Sequence, residues 1–244
     1  MKNQIEALAN KRVVLLGASS GLGLATAKAA AAEGAKVVIV SSNQQRIDLA
    51  LKELPEGSEG YAVDLSQEVN IKNFFSSIGK FDHLVYTAAE NLSLKNIEDI
   101  EIEEARNFFN LRFFGAFTAV KYAFPHINAG GSISLSSGIA STRPGKGWSL
   151  ATTICAAMEG FVRAMAVELA PIRVNAVVPG VIKTNLWSNM TEEDRENLYQ
   201  TVGASLPVKR VGEAEDVAQT FLYLIKQGFG TGQNIVVDGG TVLV

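Results

Sequence analysis

The chain has 244 residues, 47% of them hydrophobic and 19% charged, enough apolar material to fill the core of one large α/β domain. Its formal net charge of -3, with no Lys/Arg cluster, argues against nucleic acid or an anionic membrane as the main partner and leaves small molecules. A single cysteine, Cys155, excludes an intramolecular disulfide, and the two histidines, His83 and His126, lie too far apart in sequence to suggest a metal site, so a reducing, cytoplasmic setting is expected.

The N-terminal MKNQIEALANK has no apolar stretch of the kind that targets a chain for export. The longest charge-free run, 122 to 142, is broken by Pro, Asn, Gly and Ser, so the expectation is a soluble, unprocessed protein. Short runs rich in Val and Ile alternate with helical patterns: RVVLL (12 to 16), KVVIV (36 to 40), EGYAV (59 to 63), HLVYT (83 to 87), SISLS (132 to 136), RVNAVV (173 to 178) and QNIVV (233 to 237). Apolar almost throughout, they read as strands covered by helices on both faces, and seven of them predict a doubly wound parallel sheet. No linker divides the chain, so one domain spans 1 to 244.

The first strand runs straight into LGASSGLG (16 to 23), which brings Gly17, Ser19, Ser20, Gly21, Leu22 and Gly23 to a strand-helix junction. Glycines there let a backbone approach a pyrophosphate, and the N-H groups opening the next helix can bind it; the same glycines also suit a tight turn. The helix that follows, 21 to 34, is Ala-rich and ends at Gly34, a residue suited to closing a helix. After the second strand, SSNQQR (41 to 46) offers Ser41, Ser42 and Asn43 where an acidic residue would bind both ribose hydroxyls and repel a 2'-phosphate. NADP(H) is therefore mildly favoured over NAD(H), although polar turn residues serve equally well there. Asp64 in AVDLS suits either an adenine amine or a helix cap. Further on, the irregular stretch of about 183 to 212 has the length of a substrate lid, with the charged run TEEDRE set among Leu186, Trp187, Met190 and Leu198.

Taken in order, these segments resemble the short-chain dehydrogenase/reductase family over nearly the whole chain. LGASSGLG is similar to its Thr-Gly-x-x-x-Gly-x-Gly loop, with Leu16 in place of Thr, and VDL (63 to 65) to its adenine-contacting Asp-Val, which assigns Asp64 and Leu65 to the cofactor. VYTAAE (85 to 90) stands where the family has Asn-Asn-Ala-Gly and puts Thr87 and Ala88 beside the nicotinamide. The resemblance further implies Asn110, in NLRFFGAF, as the helix Asn of the catalytic set and Ser137, in SLSSG, as its Ser. RVNAVVPGVIKT resembles the nicotinamide-holding turn, with Pro179, Gly180, Ile182 and Thr184. It implies a single-domain Rossmann-type fold, an NAD(P)(H)-dependent oxidoreductase and a homo-oligomer, tetramer or dimer.

One motif breaks the pattern. The family's Tyr-x-x-x-Lys pair, aligned through AAMEGFVRAMAVELAP (156 to 171), falls on Ala151 and Cys155, and none of the five tyrosines has Lys four residues later. Tyr protonates the carbonyl oxygen in the family's reaction and Lys lowers its pKa and binds the ribose; losing a positioned acid costs about 10² to 10⁴ in rate. Lys146, Thr152, Thr153 and Tyr86 are the nearby groups able to take over, each with a plainer structural role open to it, and Cys155 itself reads as inert packing. His83 and His126 read as surface or cap residues, while Trp148 and Trp187 could wall an apolar substrate pocket. Three functions stay open: an oxidoreductase with an altered proton donor, acting on an acceptor such as an iminium or conjugated system; a catalytically silent nucleotide-binding subunit or regulator; or a non-redox enzyme using the Ser137 and Asn110 pocket.

Overall fold

The computed structural model describes residues 7 to 92 and 94 to 244; residues 1 to 6, part of the N-terminal stretch read for a targeting segment, lie outside it. The seven apolar runs form one parallel sheet: β1 (Arg12–Leu16), β2 (Lys36–Ser41), β3 (Glu59–Ala62), β4 (Phe81–Tyr86), β5 (Ile127–Ser136), β6 (Arg173–Pro179) and, numbered after two short strands described below, β9 (Asn234–Val237). Their order across the sheet is β3-β2-β1-β4-β5-β6-β9. Every residue of β4 and β6 is buried, whereas the edge strands β3 and β9 hold only partly buried or exposed residues.

Side chains alternate between faces along each strand. Val13 and Leu15 enter a cluster with Ala27 and Ala30 of α1 (Gly21–Ala32) and Phe221 and Leu222 of α8 (Ala214–Lys226). Val14 and Leu16 point the other way, among Phe74 and Phe75 of α3 (Glu68–Ser77) and Met158 and Val162 of α6 (Ser149–Glu168). Gly34 closes α1 at φ +86, and α2 (Gln44–Leu51) begins at Asn43, whose side chain accepts from Arg46 N. By length and apolarity α6 could cross a membrane, yet its Ile154, Met158, Val162 and Ala166 are buried in the fold.

Two expectations need correction. The segment 183 to 212 is not irregular: Thr191 caps α7 (Glu192–Ser205), accepting from Asp194 N at 3.1 Å, and the acidic run supplies the first turn, where negative charge suits the helix dipole. Trp187, Tyr199 and Val211 give it a small apolar cluster, and β7 (Ile182–Lys183) pairs with β8 (Gly212–Glu213) at its base. His83 is no surface residue either. It is 4% exposed on β4, its Nδ1 lies 2.9 Å from Ser132 Oγ, and burial pushes its pKa down to about 4.

Candidate active site

Strands β1 and β4 are neighbours, and chain order reverses on either side of them, so the loops at their carboxyl ends diverge and leave a crevice. A cavity of about 360 Å³ opens there. Its near half is the glycine loop: Gly17, Ser19, Ser20, Gly21, Leu22 and Gly23 all line it. Gly17 sits at φ +86, and a Cβ on it would collide with the main chain of Ala88; one on Gly23 would collide with Gly17 O and Thr87 Oγ1. Only glycine lets the loop lie this close to the end of β4. Ser20 occupies the N-cap of α1 without a side-chain cap bond, so no side chain covers the helix's opening N-H groups, the arrangement that binds phosphate.

The adenosine side follows from β2 and β3. Ser41 and Ser42 line the cavity, and Ser19 Oγ donates to Ser41 Oγ at 2.9 Å. Asp64 and Leu65 line it as well; Asp64 Oδ1 accepts from Ser66 N and Oγ, so the turn role and a place at the cavity coexist. Asn43 does not reach the lining and acts as the cap of α2. Arg46, one turn later, does reach it, a basic residue whose significance sequence reasoning missed.

The far half combines the ends of β4, β5 and β6 with α6. Thr87 and Ala88 line the cavity with Ser137, Ala151 and Cys155, while Pro179, Gly180, Ile182 and Thr184 close the side toward α7. Ser137 and Cys155 are brought together: Ser137 Oγ donates to Cys155 O at 3.1 Å and lies 3.4 Å from Glu159 Oε1, which also accepts from Ser141 Oγ. Burial pushes the Cys155 thiol up to about 11, which makes it a poor nucleophile. Trp148 and Trp187 supply apolar wall, and Trp187 Nε1 donates to Ile182 O at 2.9 Å.

The substitutes proposed for the missing acid fare differently. Lys146 is exposed and outside the lining; Thr153 Oγ1 donates to Ser149 O, and Thr152 Oγ1 is buried. Tyr86 is 2% exposed, its hydroxyl donates to Leu111 O at 2.6 Å, and burial raises its pKa, so it is a structural tie. That carbonyl belongs to a π-helical segment, Asn110–Gly115, between α4 (Ile102–Phe109) and α5 (Ala116–Ala123). Asn110 stands at its start, outside the cavity lining, its amide nitrogen 3.4 Å from Ser66 O. Leu111 and Arg112 line the cavity from this segment. The signal for Arg112 was in the sequence: it is the sole charged residue between Arg106 and Lys121.

Comparison with known proteins agrees with this architecture. Residues 17–242 match the model of the enoyl-(acyl carrier protein) reductase family. The short-chain dehydrogenase/reductase fsr5 of Gibberella fujikuroi is 32% identical, covering 98% of this chain and 97% of its own. A solved small-chain dehydrogenase in complex with NADPH is 35% identical with a TM-score of 0.86, over 96% of this chain and 99% of that one. The MalC reductase/Diels-Alderase of Malbranchea aurantiaca superposes with a TM-score of 0.90 at 27% identity, over 98% and 99% of the two chains. With the glycine loop at the sheet's switch point, these likenesses place the chain in the short-chain dehydrogenase/reductase family, as a dinucleotide-binding oxidoreductase.

Proposed function

We propose that this protein is an NADP(H)-dependent reductase that delivers hydride to an acceptor already electron-poor, such as an iminium or a conjugated system. The observation that carries the reading is the continuity of the cavity from an intact glycine loop to Ala151, where the wall offers a methyl group in place of a phenol. Bound NADPH supplies a hydride. Addition of hydride to an iminium carbon gives a neutral amine without any proton transfer, so the acid lost at Ala151 is not required; a neutral conjugated acceptor would give an enolate that takes its proton from water. Ser137, its proton engaged by Cys155 O, orients the acceptor rather than protonating it. Trp148, Leu186 and Trp187 suit an apolar substrate, with the segment 183 to 212 as its lid.

Ser41, Ser42 and Arg46 support NADP(H) over NAD(H): the turn after β2 holds no carboxylate to repel a 2'-phosphate, and a guanidinium stands ready to bind it. Phe117, 46% exposed, stacks on Phe161 of α6, and Phe114, 55% exposed, meets Phe113, which also packs on Phe161; together they supply an apolar face for a second copy of the chain. The test is to titrate the purified protein with NADPH and NADH, then assay carbonyl and imine substrates. Tighter NADPH binding with turnover of imines is expected, and no binding of either nucleotide overturns the reading. The second reading, a silent nucleotide-binding subunit, draws on the engagement of both Ser137 and Asn110 in bonds to the protein; binding without turnover of either class would establish it.

A further inference from the structure

Arg112 stands out among the charged groups of the cavity. It extends from the π-helical segment into the cavity wall, with one guanidinium nitrogen donating to Glu90 O and the guanidinium carbon 4.7 Å from the centre of the Phe108 ring. Its Nε is buried and has no hydrogen-bond partner among the described residues. A buried guanidinium is costly unless its donors are used, and this one lines the cavity with a single hydrogen bond among the described residues, to Glu90 O, so a ligand acceptor at the cavity fits it.

Its neighbours indicate which part of the ligand. Glu90 follows directly on Thr87, Ala88 and Ala89, the segment against which the glycine loop packs, and on the other side Arg112 is within electrostatic reach of Cys155. The cation thus lies between the tail of β4 and the position at which the family carries its ribose-binding Lys. A Lys at 155 beside this Arg would place two buried cations together, which is strongly unfavourable; a neutral thiol removes the conflict. Both positions line the same cavity, so one cation serves where two would repel.

On the reading that the cavity takes a dinucleotide, we infer that Arg112 replaces the missing Lys and binds the hydroxyls of the nicotinamide-side ribose, reaching the site from the π-helical segment between α4 and α5 instead of from α6. Its planar fork suits a vicinal diol, which presents two acceptors side by side.

The test uses the full-length protein and calorimetric titration with two probes: NADPH, and adenosine 2',5'-bisphosphate, which lacks the nicotinamide half. Arg112→Met is expected to weaken NADPH about tenfold or more while leaving the bisphosphate unchanged, consistent with a lost charge-assisted hydrogen bond. Arg112→Lys should recover part of the loss. Cys155→Lys should weaken NADPH in the parent chain yet restore affinity in the Arg112→Met background, with melting temperatures of the nucleotide-free variants reporting any folding defect. The inference is overturned if Arg112→Met binds NADPH like the parent, even if substrate KM rises, since the cation then serves the substrate. It is overturned equally if both probes weaken alike, or if neither lysine variant rescues, since the side chain then acts through its packing on Phe108. A parent chain that binds neither probe sinks the dinucleotide reading with it, whereas a parent that binds both leaves that reading standing whatever Arg112 does.

Discussion

The two halves of the cavity have been held to different standards. Around the phosphate loop two glycines are fixed by close approach, because Gly17 and Gly23 lie against the main chain of Ala88 and of the loop itself, where any Cβ collides. Around Ala151 and Cys155 the scaffold is equally regular, a 20-residue helix packed on the sheet through Ile154, Met158 and Val162, but the groups it presents to the cavity are a methyl and a protonated thiol. Shape is preserved in both halves, and chemistry in one. The contrast shows that the helix's place in the fold depends on its buried side, and that the cavity side is free to change.

The most forceful way to break this comparison is to write the family's chemistry back. Installing Tyr and Lys through Ala151→Tyr and Cys155→Lys, with Arg112→Met to relieve the cation, should raise ketone reduction by about 10² to 10⁴ over the parent in steady-state assays. No gain would mean that the far half differs in shape as well as in chemistry. Next in size, Gly17→Val should weaken NADPH by about 10²-fold in fluorescence titration, some 3 kcal/mol, because the side chain collides with Ala88 in a positive-φ backbone. Unchanged affinity would show that the near half is not as constrained as its geometry implies.

The smallest effect acts on the strand that serves both halves. The residues that follow β4, Thr87 and Ala88, pack against the glycine loop and also line the far half, and His83 is buried within the strand with a folded pKa of about 4 against an ordinary 6.5. Between those values the unfolded chain binds a proton that the folded chain refuses. Stability is therefore intact above about pH 6.5 and falls on acidification toward pH 4, by at most roughly 3 kcal/mol from this group. Chemical denaturation across that window should show the slope, and His83→Gln should flatten it; an identical slope in the variant would assign it to other groups.

The sheet was legible because each strand is a run of apolar residues with both faces covered, and the glycine loop because its spacing is geometric. Other features left weaker traces. The i to i+5 pattern of Asn110–Gly115 has no hydrophobic period of its own, so attention fell on Asn110 while Arg112, two residues later, reached the cavity. The helix α7 was hidden by its polar composition, since Thr191 and an acidic first turn read as loop chemistry until capping is weighed. The His83 side chain was misplaced because a partner as distant as Ser132 is invisible without strand pairing, which sets the two residues side by side.

The π-helical segment also makes the cavity sensitive to chain length. Its wider turn holds one residue more than an α turn, and Tyr86 secures it by accepting no change at Gly115, where a Cβ would strike the phenol oxygen. Loss of a single codon there would tighten the turn and rotate everything on one side of it relative to the other, carrying the guanidinium away from the crevice while leaving the helix continuous. Charge placement in this protein is thus set by residue count as much as by residue identity: a chain one residue shorter here would turn a different side chain toward the cavity.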